Sequence, residues 1–182
     1  MNELKNLISQ AWQNRSDLKS QWQEEQTDCY RIFHGTNEGL PGTTLDRYGP
    51  LLILQTFHQP VSEEELLQVR EFASEEFADL HLVYNDRSKG NSRIQNVADE
   101  MHEQDSLPME ATELGVKYRI QGRHQGQDPW LFLDLRAGRR YVKAISEGKT
   151  VLNLFSYTCG IGIAAAVGLS LIQHGRCRRH EG

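Results

Sequence analysis

The run Thr150-Val151-Leu152-Asn153-Leu154-Phe155-Ser156-Tyr157-Thr158-Cys159-Gly160-Ile161-Gly162-Ile163-Ala164-Ala165-Ala166 places an apolar stretch, a glycine-containing turn and a helix of small residues in succession. A strand-to-helix crossover of this kind suits a nucleotide-like ligand. Glycine at the turn lets the backbone approach the ligand, and the N–H groups opening a helix can satisfy a carboxylate or a phosphate. Gly160-x-Gly162 carries a second reading of equal weight, in which small residues only let helix and strand pack closely. Phe155 and Tyr157 read either as walls of such a site or as plain core. Metal chemistry finds no support. Cys29, Cys159 and Cys177 lie far apart without C-x-x-C spacing, which argues against a zinc site and a disulfide framework. His34, His58, His81, His102, His124, His174 and His180 form no i, i+4 pair on a helix.

The elements that must position this segment follow from periodicity. Leu4, Leu7, Ile8, Ala11 and Trp12 recur at three and four, predicting an amphipathic helix over 3–25 that Leu18 and Trp22 extend. From Cys29 to Phe57, β-rich runs punctuated by Gly35, Gly39-Leu40-Pro41-Gly42 and Gly49 predict an antiparallel meander. Ser62 followed by Glu63, Glu64 and Glu65 is a helix start, and Leu66, Leu67, Val69, Phe72, Ala73 and Phe77 supply its apolar face. A strand is expected over Leu80–Tyr84, a long polar loop over Asn85–Asp105, and either a tight hairpin or one bent strand from Ala111–Leu114 and Val116–Ile120 across Gly115. Glycine and proline between Gly122 and Pro129 mark a boundary. Beyond it Leu131–Asp134 reads as a short strand, Arg136–Glu147 as a helix ended by Gly148, Val151–Phe155 as a buried strand and Gly162–Val167 as a helix. Strand and helix in alternation open a doubly wound sheet.

The chain has 182 residues, 38% of them apolar, with 20 Lys plus Arg against 25 Asp plus Glu, an ordinary globular composition. No apolar run reaches the roughly 18 residues of a membrane span. The opening Met1-Asn2-Glu3-Leu4-Lys5 is unlike a secretory signal, so the expected location is the cytoplasm. The net charge of -5 hides a division. Residues 1–115 carry 9 basic and 21 acidic side chains, and residues 116–182 carry 11 basic and 4 acidic. A polyanion would meet the C-terminal part, although two differently charged solvated faces explain the same counts.

The blocks Tyr30-Arg31-Ile32-Phe33-His34-Gly35, Glu38-Gly39-Leu40-Pro41-Gly42 and Leu45-Asp46-Arg47-Tyr48-Gly49 closely resemble the N-terminal block of a family of class I S-adenosylmethionine-dependent methyltransferases that includes large-subunit ribosomal RNA enzymes. Leu131-Phe132-Leu133-Asp134-Leu135-Arg136 with Gly138-Arg139-Arg140 resembles that family's lead into its catalytic domain. Val151 to Gly160 is similar to its first cofactor-binding motif. The resemblance implies an α/β protein: a small α+β accessory domain over 1–122 that helps present RNA, then the start of a Rossmann-like doubly wound domain over 123–182. It implies S-adenosylmethionine as cofactor and ribosomal RNA as acceptor. Asn153, Phe155, Tyr157, Cys159 and Gly160 would line the methionine end, with Phe132, Asp134 and Arg136 near the cofactor mouth. Asp134 and Arg136 read equally as a structural ion pair. Methyl transfer needs alignment more than acid or base, and no catalytic residue can be carried over.

The sequence also departs from the family. The residues after Val151 are too few for the remaining strands of a doubly wound sheet. The acidic ribose ligand expected about 20 residues beyond the turn is replaced by His174-Gly175-Arg176-Cys177-Arg178-Arg179-His180. The expectation is therefore a truncated or frameshifted copy whose incomplete sheet leaves Val151–Phe155 exposed, favouring a homodimer or aggregation unless a partner covers it. Gly126-Gln127-Asp128-Pro129-Trp130 stands where the family has a glycine-containing turn. Two other functions fit: a non-catalytic RNA-binding remnant, although no aromatic platform interleaved with basic residues is evident in the sequence, and a small-molecule methyltransferase. An NADP-binding piece using Arg176, Arg178 and Arg179 explains neither the Gly39–Gly42 block nor the Phe132–Arg140 block.

Overall fold

A computed structural model describes residues 3–88, 107–123, 129–154 and 157–169. The chain divides into two compact units, Met1–Leu133 and Asp134–Gly182. The first unit contains α1 (Glu3–Gln13), α2 (Ser16–Glu24), β1 (Cys29–His34), α3 (Gly35–Glu38), β2 (Thr43–Tyr48), β3 (Leu51–Thr56), α4 (Glu63–Glu76), β4 (His81–Asp86), β5 (Met109–Glu113) and β6 (Val116–Ile120). One four-stranded sheet runs in the order β1-β2-β3-β4, and β5 and β6 form a separate pair.

The expected meander is present: β1, β2 and β3 pair antiparallel, with a register shift between Arg31 and Phe33. β4 then joins β3 in parallel, Leu52 opposite Leu82 and Leu54 opposite Tyr84, because α4 carries the chain back across the sheet. α4 starts at a complete capping box, Ser62 accepting from the Glu65 N–H while the Glu65 carboxylate accepts from the Ser62 N–H. Leu4, Ile8 and Trp12 of α1 and Val69 and Phe72 of α4 share one cluster with Ile32, Leu45, Leu52 and Leu54 of the sheet. Leu51, Ile53 and Val83 are buried as well, so β3 is apolar on both faces, as a central strand requires.

Three expectations need correction in this unit. The single helix over 3–25 is two helices, broken at Asn14-Arg15. Arg15 makes the break: its guanidinium donates to the Ala11 carbonyl and to Glu38 Oε1, each at 2.6 Å, satisfying the end of α1 from outside. Distance confirms the consequence. Ten residues of straight helix would separate Trp12 and Trp22 by about 15 Å, yet their ring centroids lie 6.5 Å apart. Leu131–Asp134 is no strand. Leu131 is buried, its carbonyl accepts from the Tyr48 hydroxyl at 3.1 Å, and Leu133–Leu135 form one 3-10 turn. The unit therefore runs through Leu133, past the boundary expected near Gly122, because Leu131 is anchored to β2. The turn before it contains Trp130 at φ 69°, a left-handed conformation that glycine adopts without cost and a bulky side chain only under strain.

The hairpin of β5 and β6 matches expectation. Its two turn residues, Leu114 and Gly115, both have positive φ, the arrangement of a tight primed turn. Tertiary bonds hold it: the Thr112 N–H donates to Asp28 Oδ1 at 2.6 Å and the Leu114 N–H to Thr27 Oγ1 at 2.9 Å. The polar loop expected over Asn85–Asp105 falls mostly outside the described residues.

The second unit contains α5 (Arg136–Ile145) and α6 (Gly160–Gly168). Val151–Leu154 is not a buried strand. No strand pairs with it among the described residues, and Val151, Leu152 and Leu154 are 41%, 80% and 73% exposed. An apolar run folds as a strand only when a neighbour completes its hydrogen bonds. α5 and α6 meet through small residues. A Cβ at Gly168 would fall on the Lys143 carbonyl, one at Gly138 would lie 3.8 Å from Ile161 Cδ1, and Ala164 and Ala165 are buried.

Candidate functional site

α6 is a nine-residue helix. Cys159 precedes it in a left-handed conformation, φ 59°, and among the described residues no side chain caps the helix start. The first intrahelical bond arrives only at Ile163, whose N–H donates to the Cys159 carbonyl at 2.8 Å. The N–H groups of Gly160, Ile161 and Gly162 thus have no carbonyl of their own helix to bind, and with the helix dipole they form a seat for a carboxylate or phosphate.

Two side chains of the same unit flank that seat. Asn153 reaches the first turn: a Cβ added to Gly162 would lie 2.8 Å from Asn153 Nδ2. A side chain at 162 would displace the end of the Asn153 amide. Arg139 of α5 lies beside the same turn. It is 2% exposed, and a Cβ at Gly160 would stand 3.7 Å from both its Cδ and its Nη1. A guanidinium next to a helix start places positive charge beside the positive end of the helix dipole, an arrangement that suits an anionic group.

The structure therefore brings Asn153, Cys159 and Gly160 together. Tyr157, 59% exposed, stands in the connection before Cys159 and is not core. Phe155 lies outside the described residues. Asp134 is exposed in the 3-10 turn and Arg136 half-buried at the start of α5. Phe132, in the first unit, is 42% exposed. Arg139 and Gly162 were not among the expected site residues. Arg136, Arg139, Arg140 and Lys143 repeat at helical spacing and read as one solvated basic face. Only the packing of α6 on α5 reveals that Arg139 is buried. No group of three or more His, Cys, Asp or Glu side chains able to hold a metal ion occurs among the described residues. No helix among them is long and apolar enough to cross a membrane.

The model of the S-adenosylmethionine-dependent methyltransferase family matches residues 30–174, spanning both units. Among curated relatives, the ribosomal RNA large subunit methyltransferase K/L of Alteromonas mediterranea is 32% identical over 167 residues, covering 85% of this chain and 23% of the relative. A ribosomal RNA large subunit methyltransferase of Deinococcus radiodurans is 30% identical over 149 residues, 78% of this chain and 36% of the relative. The chain thus spans well under half of the curated relatives it matches. Two solved structures share its fold: an S-adenosylmethionine-dependent methyltransferase assignment from Streptococcus mutans, with a TM-score of 0.71 at 20% identity over 93% of this chain and 43% of that one, and SMU.776, complexed with SAH, with a TM-score of 0.70 at 23% identity over 93% and 42%. The fold is that of the α/β methyltransferases. With the ordered blocks from Tyr30 to Gly160 lying inside one matched span, the chain belongs to the S-adenosylmethionine-dependent methyltransferase family.

Proposed function

We propose that the chain binds S-adenosylmethionine at the start of α6 and serves methylation of ribosomal RNA in the cytoplasm. The observation that carries this reading is the first turn of α6, capped by no described side chain and flanked by Asn153 and the buried Arg139 within the span matched by the family. The N–H groups of Gly160, Ile161 and Gly162 suit the carboxylate of the cofactor's methionine end, Arg139 stabilises the same negative charge, and the Asn153 amide offers a donor and an acceptor beside it. Tyr157 and Cys159 border that end in this reading, with Asp134 and Arg136 of the same unit near the mouth. Bound there, the cofactor would supply a methyl group on a sulfonium, already a good leaving group. The protein's task is to hold the methyl and its acceptor in line, which needs no metal and little proton transfer. Support for ribosomal RNA as acceptor comes from the names of the curated relatives.

Calorimetric titration of S-adenosylmethionine into the purified chain tests the proposal, with Gly160→Arg as control. Saturable binding lost in the variant supports the site, and transfer of labelled methyl to large-subunit RNA then tests the acceptor. A folded chain that binds nothing refutes the cofactor assignment. RNA binding without cofactor binding would favour a non-catalytic role, and methylation of small molecules alone would replace RNA as the acceptor.

A further inference from the structure

The first unit holds a recess of about 270 Å³ with three aromatic rings and two cations in its wall: Trp12, Lys19, Trp22, Gln23, Tyr30 and Arg47. The rings are nearly parallel. Trp22 stacks on Tyr30 with centroids 4.1 Å apart and planes 5° apart, and Trp12 lies 5.8 Å from Tyr30 at 15°. Lys19 Nζ rests over the face of Trp12, 3.7 Å from its centroid. Arg47 donates to the Tyr30 hydroxyl at 2.9 Å and to the Gly49 carbonyl. No carboxylate lines the recess, and neither cation pairs with one among the described residues, although residues 1–115 carry 21 acidic side chains against 9 basic. A second recess of about 480 Å³ shares the Trp22, Gln23 and Thr27 walls and continues past Asp28 to Lys117. These residues are scattered over the sequence from 12 to 47, which is why no aromatic platform among basic residues shows in the linear order. The break at Asn14-Arg15 assembles it.

We propose that this recess takes one unpaired nucleotide of an RNA strand, the base stacking on the Trp12 face that Lys19 now covers and the phosphate seated between Lys19 and Arg47. The inference rests on the RNA reading above and names where, in the first unit, the strand is held. The chemistry favours it over a bare anion site or an apolar ligand. A cation resting on a ring face is readily exchanged for a base, the flexible lysine stem lets the ammonium swing to the phosphate, and cation–aromatic walls of this composition are how single strands are gripped without sequence preference.

The test is titration of the purified chain with a single-stranded oligouridylate decamer, read by tryptophan fluorescence and, with a labelled decamer, by anisotropy. The same backbone without bases serves as comparison. The expected result is saturable quenching, weakened about tenfold or more in Lys19→Glu and retained in Lys19→Arg, with the abasic strand failing to quench. Lys19→Gln should lower the slope of log affinity against log salt by about 0.7. Circular dichroism and the melting temperature of all three variants should be unchanged, showing that they fold. Anisotropy showing equal binding by wild type and Lys19→Glu without quenching would overturn the recess and leave the RNA reading standing. Equal quenching by the abasic strand would overturn base stacking. Binding of neither the decamer nor large-subunit RNA fragments, with the cofactor still bound, would overturn both.

Discussion

Three glycines of α6 separate a ligand role from a packing role, and the structure assigns each a different outcome. At Gly162 an added Cβ would meet Asn153 Nδ2 at 2.8 Å, while the Asn153 Cβ and Cγ stay at 3.7 Å. Only the end of a rotatable amide must yield. Turning it off its preferred angle costs about 1 kcal/mol, and alanine in place of glycine inside a helix returns about the same. Gly162→Ala should therefore leave α6 within about 1 kcal/mol of its original stability while moving the amide beside the site. If that amide holds the cofactor's charged end, losing a hydrogen bond worth about 1.5 kcal/mol lowers affinity roughly tenfold. At Gly168 the Cβ would fall on the Lys143 carbonyl, backbone that cannot turn away. Overpacking of about 1–3 kcal/mol less a helix gain of about 1 kcal/mol predicts a net loss of up to about 2 kcal/mol with unchanged affinity. Gly160→Ala meets Arg139 only at ordinary contact, 3.7 Å, so stability holds and any loss of affinity reports the ligand itself. Amide hydrogen exchange across α5 and α6 measures local stability, and calorimetric titration of S-adenosylmethionine measures affinity. Should Gly162→Ala and Gly168→Ala lose stability and affinity in the same proportion, the glycines serve packing alone and the seat at the start of α6 is not the cofactor site.

Elsewhere the expectations concern the first unit. Asp46 is buried, its side chain 1% exposed, and Arg31 grips it with two bonds of 2.7 and 2.9 Å. Arg31→Met should cost up to about 3 kcal/mol in urea denaturation, and pairing it with Asp46→Leu should recover part of that, because a buried carboxylate loses its bidentate partner. Ser62→Ala removes the side chain that caps α4 and should lower stability by about 1 kcal/mol. The Tyr84 hydroxyl accepts from the Val61 N–H at 3.0 Å and bonds Thr56 Oγ1 at 3.1 Å, and burial raises its pKa above the ordinary 10.0. The folded chain then keeps a proton that the unfolded chain releases, so this contribution is intact below pH 10 and declines as the pH rises through and above it. Tyr84→Phe should cost about 1 kcal/mol at neutral pH and flatten the alkaline decline of the melting temperature.

Local signals were legible where the chain solves its own hydrogen bonding. The β1–β3 meander follows from glycine and proline spacing, α4 from Ser62 and Glu65, and the β5–β6 hairpin from Gly115. What escaped the sequence depends on partners far along the chain. The break after α1 needs Glu38 to receive Arg15 from 23 residues away. Leu131 sits where it does because Tyr48 binds its carbonyl. Val151–Leu154 has a buried strand's composition, yet composition cannot supply the neighbouring strand that would bury it. The candidate site divides the same way. Asn153, Cys159 and Gly160 belong to one contiguous motif, whereas Arg139 enters it from another helix.

Apolar burial is unevenly divided between the two units. The large buried side chains, Phe33, Leu45, Ile53 and Phe72 among them, belong to the first unit. The second buries Arg139, Ser146, Ala164 and Ala165 among its described residues, while Leu152, Leu154, Tyr141 and Val167 remain more than half exposed. Alanine burial contributes little, since stabilisation follows the apolar area removed from water. α5 and α6 therefore lean on close backbone contact through Gly138 and Gly168 more than on apolar volume. A helix pair held in that way is the part of the fold whose order a bound ligand most strongly affects, because occupancy adds RT ln(1 + [L]/Kd), about 2.7 kcal/mol at a hundredfold excess over Kd, to a small intrinsic stability. With the cofactor seated at the start of α6 as proposed, its binding would be coupled to the ordering of the second unit, whereas the first unit has its own core.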